Sequence, residues 1–276
     1  MPEITATTVK SLRERTGLPM MDCKRALQDA GGDPEKAIEL LRKEGKKTME
    51  KRAGRATSAG RIGVYADFAG RASAMVDLRC ESAPVANHIE FTRLAGDLAR
   101  QLATGPGAQT AEALLAQPSP GKPGETLKHQ FEDLNNRIRE VFHVERIVRI
   151  DGACAGYAHH NGAVGVLLEV EGGNADLARD ICMHVAAMRP TAIYKEELDP
   201  SLVAKEREIL ADAARQEGKP EKIIAKMVEG RMQNFYAERC LAEQPFVKDD
   251  KLKVADVARQ AGMKLLRFVH WELPKE

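Results

Sequence analysis

The chain has 276 residues, of which 43% are hydrophobic and 30% charged, and its 42 Lys and Arg nearly balance 41 Asp and Glu. This length allows one large or two medium domains with real cores, and the near-neutral charge argues against a mainly electrostatic nucleic-acid binder. No apolar run approaches the roughly 20 residues of a membrane span, and the first residues lack the apolar stretch of a signal peptide. We therefore expect a cytoplasmic protein without membrane contact.

The cysteines are odd in number, widely spaced and never arranged as C-x-x-C: Cys23, Cys80, Cys154, Cys182 and Cys240. This pattern is typical of reduced thiols in a protein core, and it does not favour disulfides or a zinc site.

The chain lacks the residue groupings that usually carry catalysis. Gly121-Lys122 is followed by Pro123, where a phosphate-binding P-loop needs Ser or Thr, and neither H-E-x-x-H nor G-x-S-x-G occurs. His159 and His160 are adjacent, and adjacent residues on a strand point to opposite faces. We predict an interaction protein that is not an enzyme and needs no cofactor or metal.

Residues 1–45 are predicted to form a module of three short helices. Thr5 is the expected N-cap of the first helix, and Gly17 ends it. The third helix begins at Asp33-Pro34, an N-cap followed by proline at the first helical position, and Gly45 is expected beyond its end.

Residues 42–55, RKEGKKTMEKRAGR, are dense in Lys and Arg and lack a sustained apolar stripe. We interpret residues 46–56 as a basic linker or as the exposed tail of the third helix. Nucleic-acid binding through this basic run is a further interpretation, which the net charge of +1 disfavours.

Beyond this run the hydrophobic period changes from 3.6 to 2, and an order of two strands and a helix occurs twice. The first copy reads RIGVYADFAG, ASAMVDLRC and HIEFTRLAGDLARQLA, and the second reads ERIVRIDGACAGYAH, GAVGVLLEVEG and ADLARDICMHVAAM. We predict an α+β fold with a repeated antiparallel sheet-plus-helices core, divided into an N-subdomain at 57–144 and a C-subdomain at 145–276.

Two long helices follow in the second half of the chain. Asp199-Pro200 opens the first and Gly218-Lys219-Pro220 separates it from the second, so residues 199–241 are predicted to form an antiparallel helical hairpin. Its apolar positions form narrow stripes that suit mutual packing: Leu202, Ile209, Leu210 and Ala213 against Ile223, Ile224, Met227 and Val228. Because the hairpin is long and charged, we expect it to project from the body.

Met20 and Met21 follow Pro19 at the start of the second helix. An isolated pair of methionines is more often core filler, but soft side chains at an exposed helix start also suit a partner surface. The residues alone leave both interpretations open.

Several strings resemble one known family over nearly the whole chain. EITATTVKSLRERTGLPMMDCKRALQDAGGDPEKAIELLRKEG is similar to the ubiquitin-associated-like N-terminal domain of elongation factor Ts, with its R-x-R-T-G, M-M-D-C-K and A-L-x-x-A strings. MHVAAMRP, GKPEKIIAKMVEGRM and EQPFV resemble the core helix, the coiled-coil hairpin and the C-terminal strand of that family.

The resemblance implies a translation elongation factor, a guanine-nucleotide exchange factor that binds elongation factor Tu in its GDP-bound and nucleotide-free states. By reciprocity, a protein that prefers the nucleotide-free GTPase weakens its hold on GDP by the same factor. An adaptor that holds the GTPase with reduced exchange activity is the alternative. Homodimerisation stays open.

The resemblance places partner contacts at Arg13, Met20 and Met21 against the nucleotide-binding domain, and at Ile138 and His160 against another domain. The histidine assignment is shared with His159, because YAHHNGAVGV has one residue more than the usual form. After Ile138, the family's Gly-Glu-Asn is replaced by Arg139-Glu140-Val141.

The stretch LRCESAPVANHIEF, residues 78–91, departs from the family. The usual Asp-Phe pair at this junction wedges into the GTPase and helps to expel magnesium, and its region corresponds here to Ser82, Ala83, Pro84 and Val85. Ala83 carries no charge and Pro84 no aromatic ring. Either a rigid loop still distorts the magnesium site mildly, which we favour because Cys80-Glu81 and Val85-Ala86 keep the family frame, or exchange depends on the other contacts.

Overall fold

The computed structural model describes residues 4–70 and 72–274, which form a mixed α+β fold of helices and antiparallel sheets. The helices are α1 Ala6–Thr16, α2 Met20–Asp29, α3 Pro34–Arg52, α4 Ala83–Ala86, α5 Ile89–Thr104, α6 Ala111–Leu115, α7 Leu127–Ile138, α8 Ala175–Met188, α9 Pro200–Gln216, α10 Glu221–Arg239 and α11 Val254–Gln260. The strands are β1 Ala59–Tyr65, β2 Ala72–Cys80, β3 His143–Asp151, β4 Cys154–Ala158, β5 Val164–Gly172, β6 Pro245–Phe246, β7 Asp249–Lys253 and β8 Met263–Glu272.

The first three helices begin and end largely through local signals. The Thr5 hydroxyl accepts a hydrogen bond from the N–H of Thr8, and Gly17 closes α1 in the left-handed region with φ of 68°. Asp33 caps α3 ahead of Pro34. These predicted caps are confirmed. The three helices share a small core: Val9, Leu12, Cys23, Ala26, Leu27, Ala37 and Leu41.

The predicted end of the third helix at Gly45 is wrong, because α3 continues to Arg52. A methyl group at Gly45 would clash with the side-chain oxygen of Asn136 in α7, so this glycine allows close packing between two helices and does not end one. The basic residues that follow Gly45 are helical as far as Arg52, which agrees with an exposed helix tail and not with a linker over that part.

The first sheet has the order β1-β2-β3 and is antiparallel throughout. Strand β2 is buried along its whole length, and helix α5 covers it with a continuous apolar face. Phe91, Leu94, Leu98 and Leu102 of α5 belong to the largest hydrophobic cluster, together with Phe142 between α7 and β3.

The second sheet has the order β4-β5-β8, with α8 and α11 packed beside it. The repeat predicted that the segment ERIVRIDGACAGYAH forms a single strand of this sheet, and this prediction is wrong. Its first part belongs to β3 and pairs with β2, while Cys154–Ala158 pairs with β5. The chain changes sheet at Gly152, whose φ of 149° favours glycine. The repeat is therefore limited to β1, β2 and α5 against β4, β5 and α8.

The two sheets are joined by an apolar cluster and by Arg146, which pairs with the buried Asp77 and reaches across to β8. The cluster draws from both sheets: Ile62, Met75, Ile150, Cys154, Leu167 and Leu273. Asp77 of β2 is fully buried and accepts hydrogen bonds from Arg79 Nε at 2.6 Å and from Arg146 Nε at 3.0 Å. The Arg146 guanidinium lies 4.6 Å from the centroid of the Trp271 ring in β8.

Helices α9 and α10 pack against each other in antiparallel directions. Arg215 pairs with Glu221 near the turn at 3.2 Å, and Arg207 pairs with Glu229 further along at 2.8 Å. Ala214, Ile224, Val228 and Met232 form the buried face. The expectation that Leu202, Ile209 and Ile223 pack between the helices is wrong, because these side chains are 42%, 52% and 44% exposed.

All five cysteines are free and buried, which confirms the prediction of reduced core thiols. Burial raises the pKa of the Cys154 thiol to about 11, so this thiol stays protonated near neutral pH.

Candidate functional site

The junction between β2 and α5 is a one-turn helix. Strand β2 ends at Cys80, Ser82 takes an extended conformation, and α4 follows with Pro84 in its first turn. Proline suits this position because its fixed φ matches the first helical residues and its missing N–H would have no helical partner there. Ala83 and Pro84 are exposed and Val85 is half-buried. The tip of the junction therefore faces solvent on an ordered turn.

Glu140 holds the start of this turn. Its carboxylate accepts the N–H of Ser82 at 3.0 Å and the Ser82 hydroxyl at 2.5 Å, and such charge-assisted bonds are the stronger kind in proteins. Beside them, burial raises the pKa of the Cys80 thiol to about 12, and the nearby negative charge of Glu140 acts in the same direction. This thiol is therefore neutral and serves as a core side chain.

Glu81 makes a second connection between the junction and the segment after α7. Its carboxylate accepts the N–H of Val141 at 2.8 Å and pairs with Arg55 at 3.1 Å. The hydrogen bond from Val141 lowers the pKa of Glu81, and Arg55 lowers it further. Glu81 and Ser82 are thus held by their hydrogen bonds to Val141 and Glu140.

Arg139 connects the same segment to the N-terminal helices. Its guanidinium pairs with Asp22 in the first turn of α2, and its carbonyl accepts a hydrogen bond from Arg52 at the end of α3. Burial acts to raise the pKa of Asp22, but hydrogen bonds from Arg25 and Arg139 outweigh it and lower the pKa. Arg139 has φ of 64°, a region where glycine is usual.

Arg137 makes the third connection, to the first turn of α5. Its guanidinium forms a bidentate pair with Glu90, one bond of which measures 3.0 Å, and this pairing lowers the pKa of Glu90. The stem of Arg137 also lies against Gly17, where an added methyl group would be 2.6 Å from Cδ. We use the name α7 brace for Arg137, Arg139 and Glu140.

The α7 brace was missed by sequence reasoning, which treated Arg139-Glu140-Val141 only as a change after Ile138. The sequence contained one usable signal, because Glu140 keeps the acidic residue of the family's Gly-Glu-Asn string. Its partner at Ser82 lies 58 positions away in the chain, and a single sequence does not show such pairings.

The predicted contacts at Arg13, Met20 and Met21 lie on the N-terminal helices. Arg13 is exposed in the last turn of α1. Met20 and Met21 open α2 and are 47% and 64% exposed. They lie outside the core of the three helices, so the reading of this pair as core filler is wrong. Asp22, which follows directly, ties this helix start to the α7 brace.

Ile138 and His160 lie on different parts of the molecule. Ile138 ends α7 and is half-buried against the first core cluster, whereas His160 lies in the turn between β4 and β5 and is exposed. His159 is half-buried, and its Nδ1 lies 2.8 Å from the Tyr157 hydroxyl. The two histidine rings do not point to opposite faces. Their centroids are 4.2 Å apart, because β4 ends at Ala158 and strand alternation ends with it.

The described part of the chain, residues 4–70 and 72–274, has no helix long and apolar enough to cross a membrane. Across the same ranges, no group of three or more His, Cys, Asp or Glu residues is arranged to hold a metal ion. The site consists of exposed side chains at helix starts, and the α7 brace holds these helix starts in place.

Such an arrangement is typical of a protein that acts by contacting a partner. The family model described as Elongation factor TS matches residues 81–275. The chain is 41% identical over 273 residues to elongation factor Ts of Thioalkalivibrio sulfidiphilus (strain HL-EbGR7), covering 98% of this chain and 92% of the relative. It is 37% identical over 287 residues to elongation factor Ts of Aquifex aeolicus (strain VF5), covering 98% of each chain.

The chain therefore belongs to the elongation factor Ts family, as the sequence motifs predicted. It is a translation elongation factor that acts as a nucleotide exchange factor for elongation factor Tu, and it does not catalyse covalent chemistry. The alternative of an adaptor with reduced exchange activity has no support in these comparisons.

Proposed function

We propose that the chain opens the nucleotide site of elongation factor Tu through one composite surface. Arg13, Met20 and Met21 contribute one side of this surface, and the junction from Ser82 to Val85 contributes the other. The observation that carries the proposal is the α7 brace, because it connects the start of α2 and the start of α4 to the same short segment. A surface held at a fixed spacing can press on two parts of a GTPase at once.

The thermodynamic role of this surface follows from linkage. If this surface binds nucleotide-free elongation factor Tu more tightly than the GDP-bound form, its binding lowers the affinity of elongation factor Tu for GDP by the same factor. The contacts at Met20 and Met21 supply apolar binding energy, in the way that buried side chains at an interface centre do. The junction supplies the distortion near phosphate and magnesium. We infer that both the GDP-bound and the nucleotide-free states are bound.

A second contact region is proposed at Ile138 and His160. Of the two adjacent histidines, we favour His160, because His159 is half-buried and directed to Tyr157. The His160 side chain is exposed, while its carbonyl lies 3.4 Å from Arg61 Nη2. The backbone of the turn is therefore held, while the exposed ring, which lies beside that of His159, can meet a partner.

We further propose a ubiquitin-associated-like N-terminal domain, a two-part core and a helical hairpin at 199–241 that projects from the body. The strand pairing favours a boundary between the core subdomains at Gly152 over the predicted position at 144 and 145, because β3 pairs with β2. A cytoplasmic location is proposed from the role in translation.

Release of a fluorescent guanine nucleotide from elongation factor Tu tests this function directly. We expect the rate of GDP release to rise with the concentration of the chain and to saturate, since the factor binds the GTPase before the nucleotide leaves. Bovine serum albumin at equal concentration is the control. A release rate that does not change with the concentration of the chain would contradict the proposal.

Restoring the usual pair at the junction is expected to raise exchange further. In Ala83→Asp/Pro84→Phe, both new side chains start from exposed positions, so the core is undisturbed. They add a charge and an aromatic ring where the chain has neither. We expect the maximal GDP release rate to increase by about tenfold, the effect of about 1.4 kcal/mol, and the gain to be largest in excess magnesium.

The single variants Ala83→Asp and Pro84→Phe separate the charge from the ring, and Ala116→Asp, at an exposed position in the loop after α6, controls for added charge. Equal maximal rates in the double variant and the native chain would show that the junction does not act on the magnesium site.

A further inference from the structure

Ile89, the first residue of α5, is unusually exposed for a large apolar side chain. It exposes 70% of its surface, more than Met21 at 64%. Single exposed apolar residues are common and need no explanation by themselves. The position of Ile89 does call for an explanation. Ile89 follows the junction by only a few residues and directly precedes Glu90, which pairs with Arg137 of the α7 brace.

The α7 brace holds three helix starts. Arg139 pairs with Asp22 in α2, Glu140 accepts two hydrogen bonds from Ser82 before α4, and Arg137 pairs with Glu90 in α5. Three residue steps of backbone span at most about 11 Å. The starts of α2, α4 and α5 therefore lie within one side-chain length of a segment no longer than that.

Each of these helix starts carries exposed apolar surface beside its braced residue. In α2 it is Met20 and Met21, before Asp22. In α4 it is Ala83 and Pro84, after Ser82. In α5 it is Ile89, before Glu90. The acidic neighbours Asp22 and Glu90 are neutralised by arginines of the brace, so the charge beside the apolar side chains is largely balanced.

We propose that Ile89 is a further contact residue for the nucleotide-binding domain of elongation factor Tu, positioned by the Arg137–Glu90 pair. This inference rests on the proposed function, because it extends the same composite surface. Continuity with that surface favours the GTPase over a second copy of this chain as the occupant. Burying an isoleucine side chain on binding is favourable through the hydrophobic effect, and the braced helix start removes part of the ordering cost.

The variant Ile89→Ser tests the contact. We expect the concentration of the chain that gives half-maximal GDP release to rise about tenfold, the loss expected from one buried apolar side chain, with the maximal release rate nearly unchanged. Ile89→Leu should retain the native value. Ile209→Ser is the matched control, because Ile209 is an isoleucine on a helix and is 52% exposed. It should also match the native chain.

The outcomes separate this inference from the proposed function. If the native chain accelerates release while Ile89→Ser has the native half-maximal concentration, Ile89 is not a contact and the inference fails alone. If the native chain does not accelerate release at all, the proposed function fails. Sedimentation of the native chain and Ile89→Ser adds a third readout. A change in self-association without a change in release would assign this face to a second copy and overturn the inference.

Discussion

Replacing Met20 and Met21 together by serine is expected to lower the efficiency of GDP release from elongation factor Tu by about 30-fold. A hot spot at the centre of an interface contributes about 2 kcal/mol, and 1.4 kcal/mol corresponds to a factor of ten, so a 30-fold loss means that the two adjacent methionines together act as about one hot spot. Both side chains lie at the start of α2, at 47% and 64% exposure, so the loss reflects the missing contact and leaves the fold intact. The measurement is the release rate as a function of the concentration of the chain.

Met188→Ser is the matched control for this variant. Met188 is 44% exposed at the end of α8, and it lies outside the proposed surface. Its replacement removes a similar side chain from a helix with no expected effect on release. The proposed role of the methionine pair would be refuted by equal efficiency in Met20→Ser/Met21→Ser and the native chain.

Asp77→Asn is expected to destabilise the chain by about 3–5 kcal/mol, the cost of breaking a buried ion pair by removing one partner. Asp77 is fully buried in β2, and Arg79 beside it is also buried, so the positive charge would lose its counter-charge in a low dielectric. Arg146 is partly exposed and should contribute less, because solvent screens its charge.

Trp271 provides the readout for this variant. It is the only tryptophan, and the Arg146 guanidinium lies 4.6 Å from its ring centroid, so its fluorescence reports on the contact between the sheets. Denaturant titration gives the free energy of unfolding. Asp151→Asn removes a carboxylate that is 74% exposed and pairs with Arg149 at 2.8 Å, and it should change the free energy by less than about 1 kcal/mol. An unfolding midpoint in Asp77→Asn equal to that of the native chain would contradict the expectation.

Local signals in the sequence predicted the N-terminal helices well. The caps at Thr5 and Asp33 bond to groups two or three residues away, so the information lies within one turn. Gly45 was wrongly predicted to end α3, because a glycine inside a helix resembles a terminator in sequence. The glycine is needed for the close approach of Asn136, which lies 91 positions later in the chain. Glycine suits both a helix terminator and a close contact between helices, so the residue type alone does not distinguish the two.

The pairing of β3 could not be predicted for a similar reason. Its sequence alternates as a strand should, but alternation says nothing about which neighbour it joins. The candidate site likewise combines features that are visible in the sequence with features that depend on the fold. The exposed Met20 and Met21 and the unusual Ala83-Pro84 are visible in the sequence, whereas the pairing of Ser82 with Glu140 depends on the completed fold.

The geometry around Ser82 separates the placement of the junction from the chemistry of its exposed tip. Its placement depends on backbone and hydroxyl groups bonded to Glu140 and on the Glu81 bond to Val141, and none of these bonds involves the side chains of Ala83 or Pro84. Those two side chains can therefore change in charge, size and ring content during evolution without moving the turn that carries them. The tip of the junction can thus be altered one residue at a time while its place beside α7 is kept.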